Sequence, residues 1–249
     1  AAFLDELLED YADEWLTKCM FHYRWYHEAD ATKARQILPH WSMENVTDEQ
    51  IAPIQKMIGD RQIGRLGVVG SNDVTAEVIE ESYRRFLRAF DAQLQNSRFL
   101  FGNRPASSDF GMMGQLTCLA LFDPTPSALT AELAPRVYGW TELVEDLSGK
   151  EPREDDWTDV DSLPDSLRGL FAEVGHFHAP FLLANAEAVE KKAEQVETEI
   201  DGRPWVQKPF PYQRKCLGWL RASYASLDSN ARASVDNILE GSGCEILFA

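Results

Sequence analysis

The sequence of 249 residues predicts a mainly α-helical protein with one β-hairpin. Two observations carry this prediction. Apolar residues recur at three- or four-residue spacing through most of the chain, which is the period of an amphipathic helix. Strand-like alternation around a turn signal occurs in VETEIDGRPWVQ (196–207), where Asp201-Gly202 separates two extended arms. We find no internal repeat and no low-complexity tract.

The first helix is predicted over Phe3–Tyr26, and its apolar stripe becomes aromatic towards the C-terminal end. The stripe consists of Leu4, Leu8, Tyr11, Trp15, Cys19, His22 and Tyr26. Pro39 interrupts the pattern, and Thr47 and its neighbours predict a short helix that ends near Met57. The glycines of GRLGVVGSNDVT (64–75) lack the spacing of a dinucleotide-binding loop, so we predict a mobile connector there.

Three further helices are predicted before residue 150. The second long helix runs from Thr75 to about Asn96, with glutamates in its first turns, where the helix dipole favours anions. The third, 107–121, is apolar nearly all round, as is typical of a helix buried on most sides. The prolines of DPTP (123–126) end it, and a fourth helix is expected over 127–146.

Residues 150–165 carry seven acidic side chains and are predicted to be a solvated linker. Helices are expected over 163–177 and 180–194, separated near Ala179, because a residue that precedes proline disfavours helix. Two short helices, 211–227 and 229–239, follow the hairpin. The predicted organisation is a helical domain over 1–149, the acidic linker, and a helical extension over 166–249 that contains the hairpin.

The net charge of −17 indicates which partners to exclude. So acidic a surface repels nucleic acid and anionic membranes. No apolar run approaches the roughly 18–20 residues of a membrane-spanning helix, and no secretory signal is present. We therefore expect a soluble, cytoplasmic protein. The chain opens with AAFLDELL, already inside a helical pattern and without methionine, so we expect a further segment upstream.

The four cysteines are far apart in the sequence and form no C-x-x-C pair. They are Cys19, Cys118, Cys216 and Cys244. In a chain of this size, such usage favours reduced thiols on apolar faces over a disulfide framework.

The segment RFLFGNRPASSDFGMMGQL (98–116) places Asp109 in the first turn of the apolar third helix. A carboxylate there can accept from backbone N–H groups that have no partner within the helix. The segment resembles the Phe-Leu-x-Gly-x-x-Pro-(Ser/Thr)-x-x-Asp motif of glutathione S-transferases, which opens the central buried helix of their all-helical C-terminal domain. The order of the helices over about residues 3–149 agrees with that domain. The resemblance implies a glutathione S-transferase C-terminal-like helical bundle, followed by the extension.

The sequence departs from this family in two ways. Ala106 stands where the family has an N-cap serine or threonine, so Ser107 or Ser108 would have to substitute for it. The thioredoxin-like domain that holds glutathione and activates its thiol is absent from these residues. The resemblance therefore implies glutathione as a co-substrate bound mainly by that domain, no catalytic residue and no metal in this chain, and inactivity of the chain by itself.

The resemblance also implies a role for the first and central helices as the apolar wall of a site for a small apolar electrophile. By position the wall residues are Tyr11, Trp15, His22, Tyr26 and Met113. Packing in the core or in a homodimer interface is the alternative role for each of them. A homodimer is the expected assembly, as in the family.

Two other functions remain open from the sequence. One is a non-catalytic protein-interaction module on a transferase-like scaffold. The other is an unrelated helical enzyme with a site around His176, His178 and Cys216. Residues two apart point the same way only on a strand, and no third ligand lies nearby in the sequence, so the two histidines do not predict a metal site.

Overall fold

Helices and one small sheet make up the protein, as the sequence predicts. The computed structural model describes all 249 residues. None of the helices combines the length and the apolar character that a membrane span requires. The α-helices are α1 (Ala2–Tyr11), α2 (Thr17–Tyr26), α3 (Glu28–Ile37), α4 (Asp48–Ile63), α5 (Ala76–Leu94), α6 (Ser107–Leu116), α7 (Pro124–Leu133), α8 (Pro135–Glu145), α9 (Asp165–Glu173), α10 (Ala179–Lys191), α11 (Pro211–Ser226) and α12 (Ser229–Leu239).

The first predicted helix is confirmed as one continuous rod. A π-helical turn, Ala12–Leu16, joins α1 to α2, and the rod ends where His27 becomes extended. Helix α3 then follows, which the sequence analysis did not predict. Helix α4 begins with a capping box, in which Thr47 N–H donates to Gln50 Oε1 (2.9 Å) and Gln50 N–H donates to Thr47 Oγ1 (3.4 Å).

Two predictions of helix bounds near prolines were wrong: one expected helix is divided, and one expected break is absent. The helix expected over 127–146 is divided into α7 and α8, because Ala134 precedes Pro135 and leaves the helical conformation. The break expected near Ala179 does not occur, since a π-helical turn, Val174–His178, joins α9 directly to α10. Pro180 then lies in the first turn of α10, directly after the π-helical turn.

The hairpin prediction is confirmed in position and in its two-residue turn. Strands β1 (Val196–Ile200) and β2 (Arg203–Gln207) pair in antiparallel register. Asp201 and Gly202 both adopt positive φ, 55° and 67°, as a two-residue type I′ turn requires. Trp205 projects from β2 into the interior and is fully buried.

One main hydrophobic core connects the two ends of the chain, and a small second cluster is formed by Trp25, Ala31 and Ala34. A cluster of 45 buried residues extends from Phe3 to Leu247 and has members on both sides of the acidic segment 150–165. That segment lies against the bundle: Asn103 N–H donates to the Asp156 carbonyl (2.8 Å), and Thr158 N–H donates to the Phe101 carbonyl (2.9 Å). Helix α1 packs against both α6 and α11, so the helices before and after the acidic segment share this core.

The glycine-rich segment 64–75 is held by the hairpin. A Cβ on Gly70, which has a φ of +82°, would lie 2.8 Å from the Trp205 ring. The Asn72 side-chain amide donates to the Val206 carbonyl (3.0 Å). The segment is therefore bonded to β2 at the position where the sequence suggested a mobile connector.

Replacing Gly175 with alanine is expected to lower the free energy of unfolding by about 1–3 kcal/mol, the usual cost of overpacking a core. The new Cβ would lie 2.1 Å from the Ser242 carbonyl oxygen and 2.8 Å from the Cys244 nitrogen, both of which are backbone atoms. Gly169→Ala is the matched control, because its Cβ would meet only Ala89 at 3.8 Å. The control should stabilise the helix by about 0.5–1 kcal/mol. Urea unfolding that ranks the two variants equally would contradict this close approach.

Candidate functional site

The predicted wall residues Tyr11 and Trp15 are completely buried. Trp15 Nε1–H donates to Ser82 Oγ (3.1 Å), and the Trp15 ring lies 5.4 Å from that of Trp205 and 6.0 Å from that of Phe181. Burial raises the pKa of the Tyr11 phenol well above its usual value. The C-terminal part of the chain therefore covers this section of the aromatic stripe, and no substrate reaches it in this conformation.

Met113 lies on the central helix α6 and is partly buried against the core. Its carbonyl accepts a hydrogen bond from the Thr117 hydroxyl (2.9 Å). Helix α6 packs against the turn that contains Trp15, and a substrate-binding role for Met113 stays a prediction.

Asp109 caps the start of α6, in the manner that the sequence predicts. Its carboxylate accepts from Ala106 N–H (2.9 Å) and from Leu100 N–H (3.0 Å), and the side chain is fully buried. Burial raises the pKa of Asp109 to about 7, against the lowering effect of the two N–H donors. The residue ties the loop before α6 to the first turn of that helix.

The missing N-cap hydroxyl at Ala106 is replaced from another helix. Asp5 of α1 accepts a hydrogen bond from Ser108 N–H (2.9 Å), the group to which an N-cap side chain would bind. The hydroxyl of Ser108 has no hydrogen-bond partner, so it does not substitute for the cap as the sequence suggested. The substitute is the carboxylate of Asp5, which also joins the first helix to the central one.

Removal of this carboxylate by Asp5→Ala should lower the free energy of unfolding by about 0.5–2 kcal/mol, the typical value of an N-cap. Ala106→Ser in the same chain should recover part of the loss, because a hydroxyl at that position can accept from the same N–H groups. Thermal or urea unfolding of the single and double variants measures both effects. Ala106→Ser should stabilise the Asp5→Ala variant more than it stabilises the wild type. An equal gain in the two backgrounds would show that Asp5 does not act as the cap.

His22 and Tyr26, at the C-terminal end of α2, form a cluster with residues that the sequence analysis did not select. Tyr26 is 38% exposed and stacks on the buried His22 ring with centroids 4.6 Å apart. His22 Nε2 lies 3.5 Å from Glu80 Oε1, and His27 Nε2 lies 3.2 Å from the same oxygen. The other ring nitrogen of His22 is 2.8 Å from Ser71 Oγ.

Electrostatics in this cluster favour a neutral imidazole beside an ionised carboxylate. Burial lowers the pKa of His22, and the interaction with Glu80 opposes this only in part. The neighbouring His22 and the Arg84 guanidinium hold the pKa of Glu80 at about 2, despite its partial burial. The three ligand atoms of His22, His27 and Glu80 lie within 4.8 Å of one another, so the group has the donor atoms and the separation that a metal ion requires.

The two histidines of the unrelated-enzyme hypothesis, His176 and His178, contact different carboxylates. His176 Nε2 lies 2.7 Å from Asp201 Oδ1 in the hairpin turn, whereas His178 Nε2 lies 2.7 Å from Asp10 Oδ2 on α1. Each therefore fastens the α9–α10 rod to a different neighbour.

Two clefts open near the start of α6. The larger, of about 650 Å³, contains four cationic side chains beside Phe99 and Phe110. These cations are Arg98, Arg104, Lys150 and Arg153. The second, of about 460 Å³, lies between the starts of α1 and α6 and is mainly apolar; its lining residues are Ala1, Ala2, Asp5, Phe101, Ala106 and Trp157.

Comparison with protein-family models, with curated proteins and with solved structures found no match to this chain. The resemblance to glutathione S-transferases therefore stays a prediction from the motif around Asp109 and the order of the helices.

Proposed function

We propose that this chain is the helical part of a glutathione S-transferase-like protein, which binds an apolar electrophile and forms the dimer interface. The observation that carries the proposal is the mainly apolar cleft between α1 and α6. These are the first and central helices, from which the resemblance derives the wall of the electrophile site. The cleft is at a different place on them from the wall residues selected by sequence.

The cleft has the chemistry that an apolar electrophile needs. Five of its six lining residues are hydrophobic, so a substrate gains free energy by leaving water there. Asp5 lines the cleft and also bonds to the start of α6, and this contact fixes the distance between the two walls. Catalysis would need glutathione as its thiolate, the nucleophilic form, and a thioredoxin-like domain outside these 249 residues would supply it.

The test uses the product of the whole gene, including any residues encoded before Ala1. We expect calorimetry to detect glutathione binding and a chlorodinitrobenzene to be conjugated. Ala2→Trp should fill the cleft and raise the KM for the electrophile about tenfold or more, which corresponds to at least ~1.4 kcal/mol of lost binding, without changing the affinity for glutathione. Ala222→Trp, an exposed substitution on α11, is the control.

Absence of glutathione binding, or of an upstream thioredoxin-like domain, would overturn the proposal. An unchanged KM in Ala2→Trp together with intact conjugation would retain the transferase activity but remove the cleft from it.

A non-catalytic interaction module is the second candidate, and exposed aromatic side chains favour it. Phe210, Tyr212 and Trp219 form a row at the start of α11, with centroid distances of 6.3 Å and 5.9 Å between successive rings. All three are exposed, and such aromatic patches are typical of protein interfaces. A partner that binds the wild type but not Trp219→Ala, with no glutathione affinity in either, would support this function over the first.

A further inference from the structure

We propose that His22, His27 and Glu80 form a three-ligand binding site for a zinc-like divalent transition-metal ion. The site lies where α2 ends beside the first turns of α5. The proposal does not depend on the transferase function, because neither its residues nor its chemistry enter the electrophile cleft.

Two of the three separations between ligand atoms agree with tetrahedral coordination. Zinc bonds to histidine nitrogen and carboxylate oxygen are about 2.0–2.2 Å long, so two ligand atoms in a tetrahedral site lie about 3.3–3.5 Å apart. Glu80 Oε1 is 3.5 Å from His22 Nε2 and 3.2 Å from His27 Nε2. All three atoms are within 4.8 Å of one another, so a small movement of one imidazole completes the triangle.

The two imidazole nitrogens have no other partner. His22 is fully buried, and its Nε2 faces Glu80 Oε1 without hydrogen-bond geometry; the same is true of His27 Nε2. A buried polar atom without a partner costs free energy, so such atoms are rare in folded proteins. A metal ion between the two nitrogens and the carboxylate would satisfy both of them at once.

The surrounding contacts orient the ligands as in known metal sites. With its Nδ1 protonated, His22 donates to Ser71 Oγ at 2.8 Å, and this leaves the Nε2 lone pair directed at the site. Arg84 donates to the second oxygen of Glu80, Oε2, at 3.0 Å, so Oε1 remains available as a monodentate ligand. The Tyr23 ring stacks on His27 with centroids 5.5 Å apart and fixes its orientation.

The donor set and its exposure indicate the kind of ion. Two imidazoles and one carboxylate suit zinc and its neighbours and not magnesium or calcium, which prefer oxygen ligands. The side chains of His27 and Glu80 are 29% and 22% exposed, whereas the Nε2 atoms of both histidines are buried, so the site lies at the edge of the core. Three protein ligands leave the fourth position of a tetrahedral ion to a ligand from outside the chain.

The experiment is a titration of chelator-treated full-length chain with Co²⁺, followed by displacement with Zn²⁺. We expect one ion per chain and the visible absorption of tetrahedral cobalt. His27→Gln and Glu80→Gln should each weaken binding at least as much as Ser71→Ala, for which the loss of an outer contact predicts about 10–100-fold. His176→Gln is the matched control: its nitrogen faces Asp201 at 2.7 Å without a third ligand, so the affinity should not change.

Circular dichroism of each metal-free variant should match the wild type, because both altered ligands are partly exposed. Absence of the tetrahedral cobalt absorption in the wild type would overturn the proposal, and the cluster would then be a set of histidine–carboxylate ion pairs. Equal affinities in the wild type and His27→Gln would also overturn it, since the ion would then bind to other carboxylates.

Discussion

Arg24→Met is expected to lower the free energy of unfolding by about 3–5 kcal/mol, the cost of leaving a buried charge without its partner. Arg24 Nε lies 3.1 Å and 3.0 Å from the two carboxylate oxygens of Asp123, and its Nη2 lies 2.9 Å from Oδ2. Both side chains are buried. The pair joins α2 to the N-cap residue of α7, so the variant loses this connection as well.

The size of this loss should depend on pH. Burial raises the pKa of Asp123 to about 6, even though Arg24 favours the ionised form. An acid with a raised pKa in the folded state contributes stability at low pH and loses it as the pH rises through that pKa. Without Arg24 the pKa rises further, so the deficit of the variant should be smallest near pH 5 and largest near pH 8.

Urea unfolding of wild type and variant at these two pH values measures the effect. The matched control is Arg88→Met, because Arg88 is mostly exposed and lies 3.9 Å from Glu81. This change should stay within about 0.5 kcal/mol at either pH. Asp123→Asn added to Arg24→Met should recover part of the loss, since the remaining buried group is then neutral. A deficit that is independent of pH would contradict the assignment to a buried carboxylate.

Trp205→Ala should lower the free energy of unfolding by about 3–5 kcal/mol, the usual cost of truncating a buried aromatic side chain. The Trp205 ring is fully buried and packs at 5.4 Å from Trp15 and 5.7 Å from Phe181. Its Nε1–H has no hydrogen-bond partner, so the loss comes from packing and not from a broken hydrogen bond. The same ring holds the hairpin on the first helix.

The control is Trp219→Ala, because Trp219 is 56% exposed on α11 and its removal should change stability by no more than about 0.5 kcal/mol. Chemical unfolding gives the free energies, and near-ultraviolet circular dichroism reports the Trp15–Trp205 pair. Similar losses for the two tryptophans would mean that the hairpin is not an integral part of the core. Exposure of Trp15 to a quencher in Trp205→Ala would show that the C-terminal segment covers the aromatic stripe.

Two alanines that precede prolines, Ala134 and Ala179, have different conformations in the structure. The rule that a residue before proline disfavours helix describes Ala134 correctly, yet it fails at Ala179. There a π-helical turn precedes Pro180 and lets the rod continue, with Gly175 in close contact with the backbone near Ser242. That contact joins residues far apart in sequence, and no local pattern signals it.

In the candidate sites, contacts between residues close in sequence were predictable, whereas contacts between distant residues were not. Asp109 was identifiable as a cap because its partners, Ala106 and Leu100, are close to it in the chain. Asp5, which accepts a hydrogen bond from the same helix start, is 103 residues away from Ser108 in sequence. The sequence analysis assigned that capping role to Ser107 or Ser108 instead. His22 was selected from its helical stripe, whereas Glu80 lies on another helix and is partly buried, and the sequence analysis assigned it only to the helix start that favours anions.

By itself the sequence determined the class of the fold, the first long helix, the hairpin at Asp201-Gly202 and the capping role of Asp109. These features follow from periodicity, turn geometry and contacts within a few residues, which the local sequence encodes. Only the tertiary structure decided that Trp15 is covered by Trp205, that the apolar cleft lies between α1 and α6, and that His27 meets Glu80. Such contacts depend on how helices and the hairpin pack around a shared core, and the spacing of residues along one element does not specify that packing.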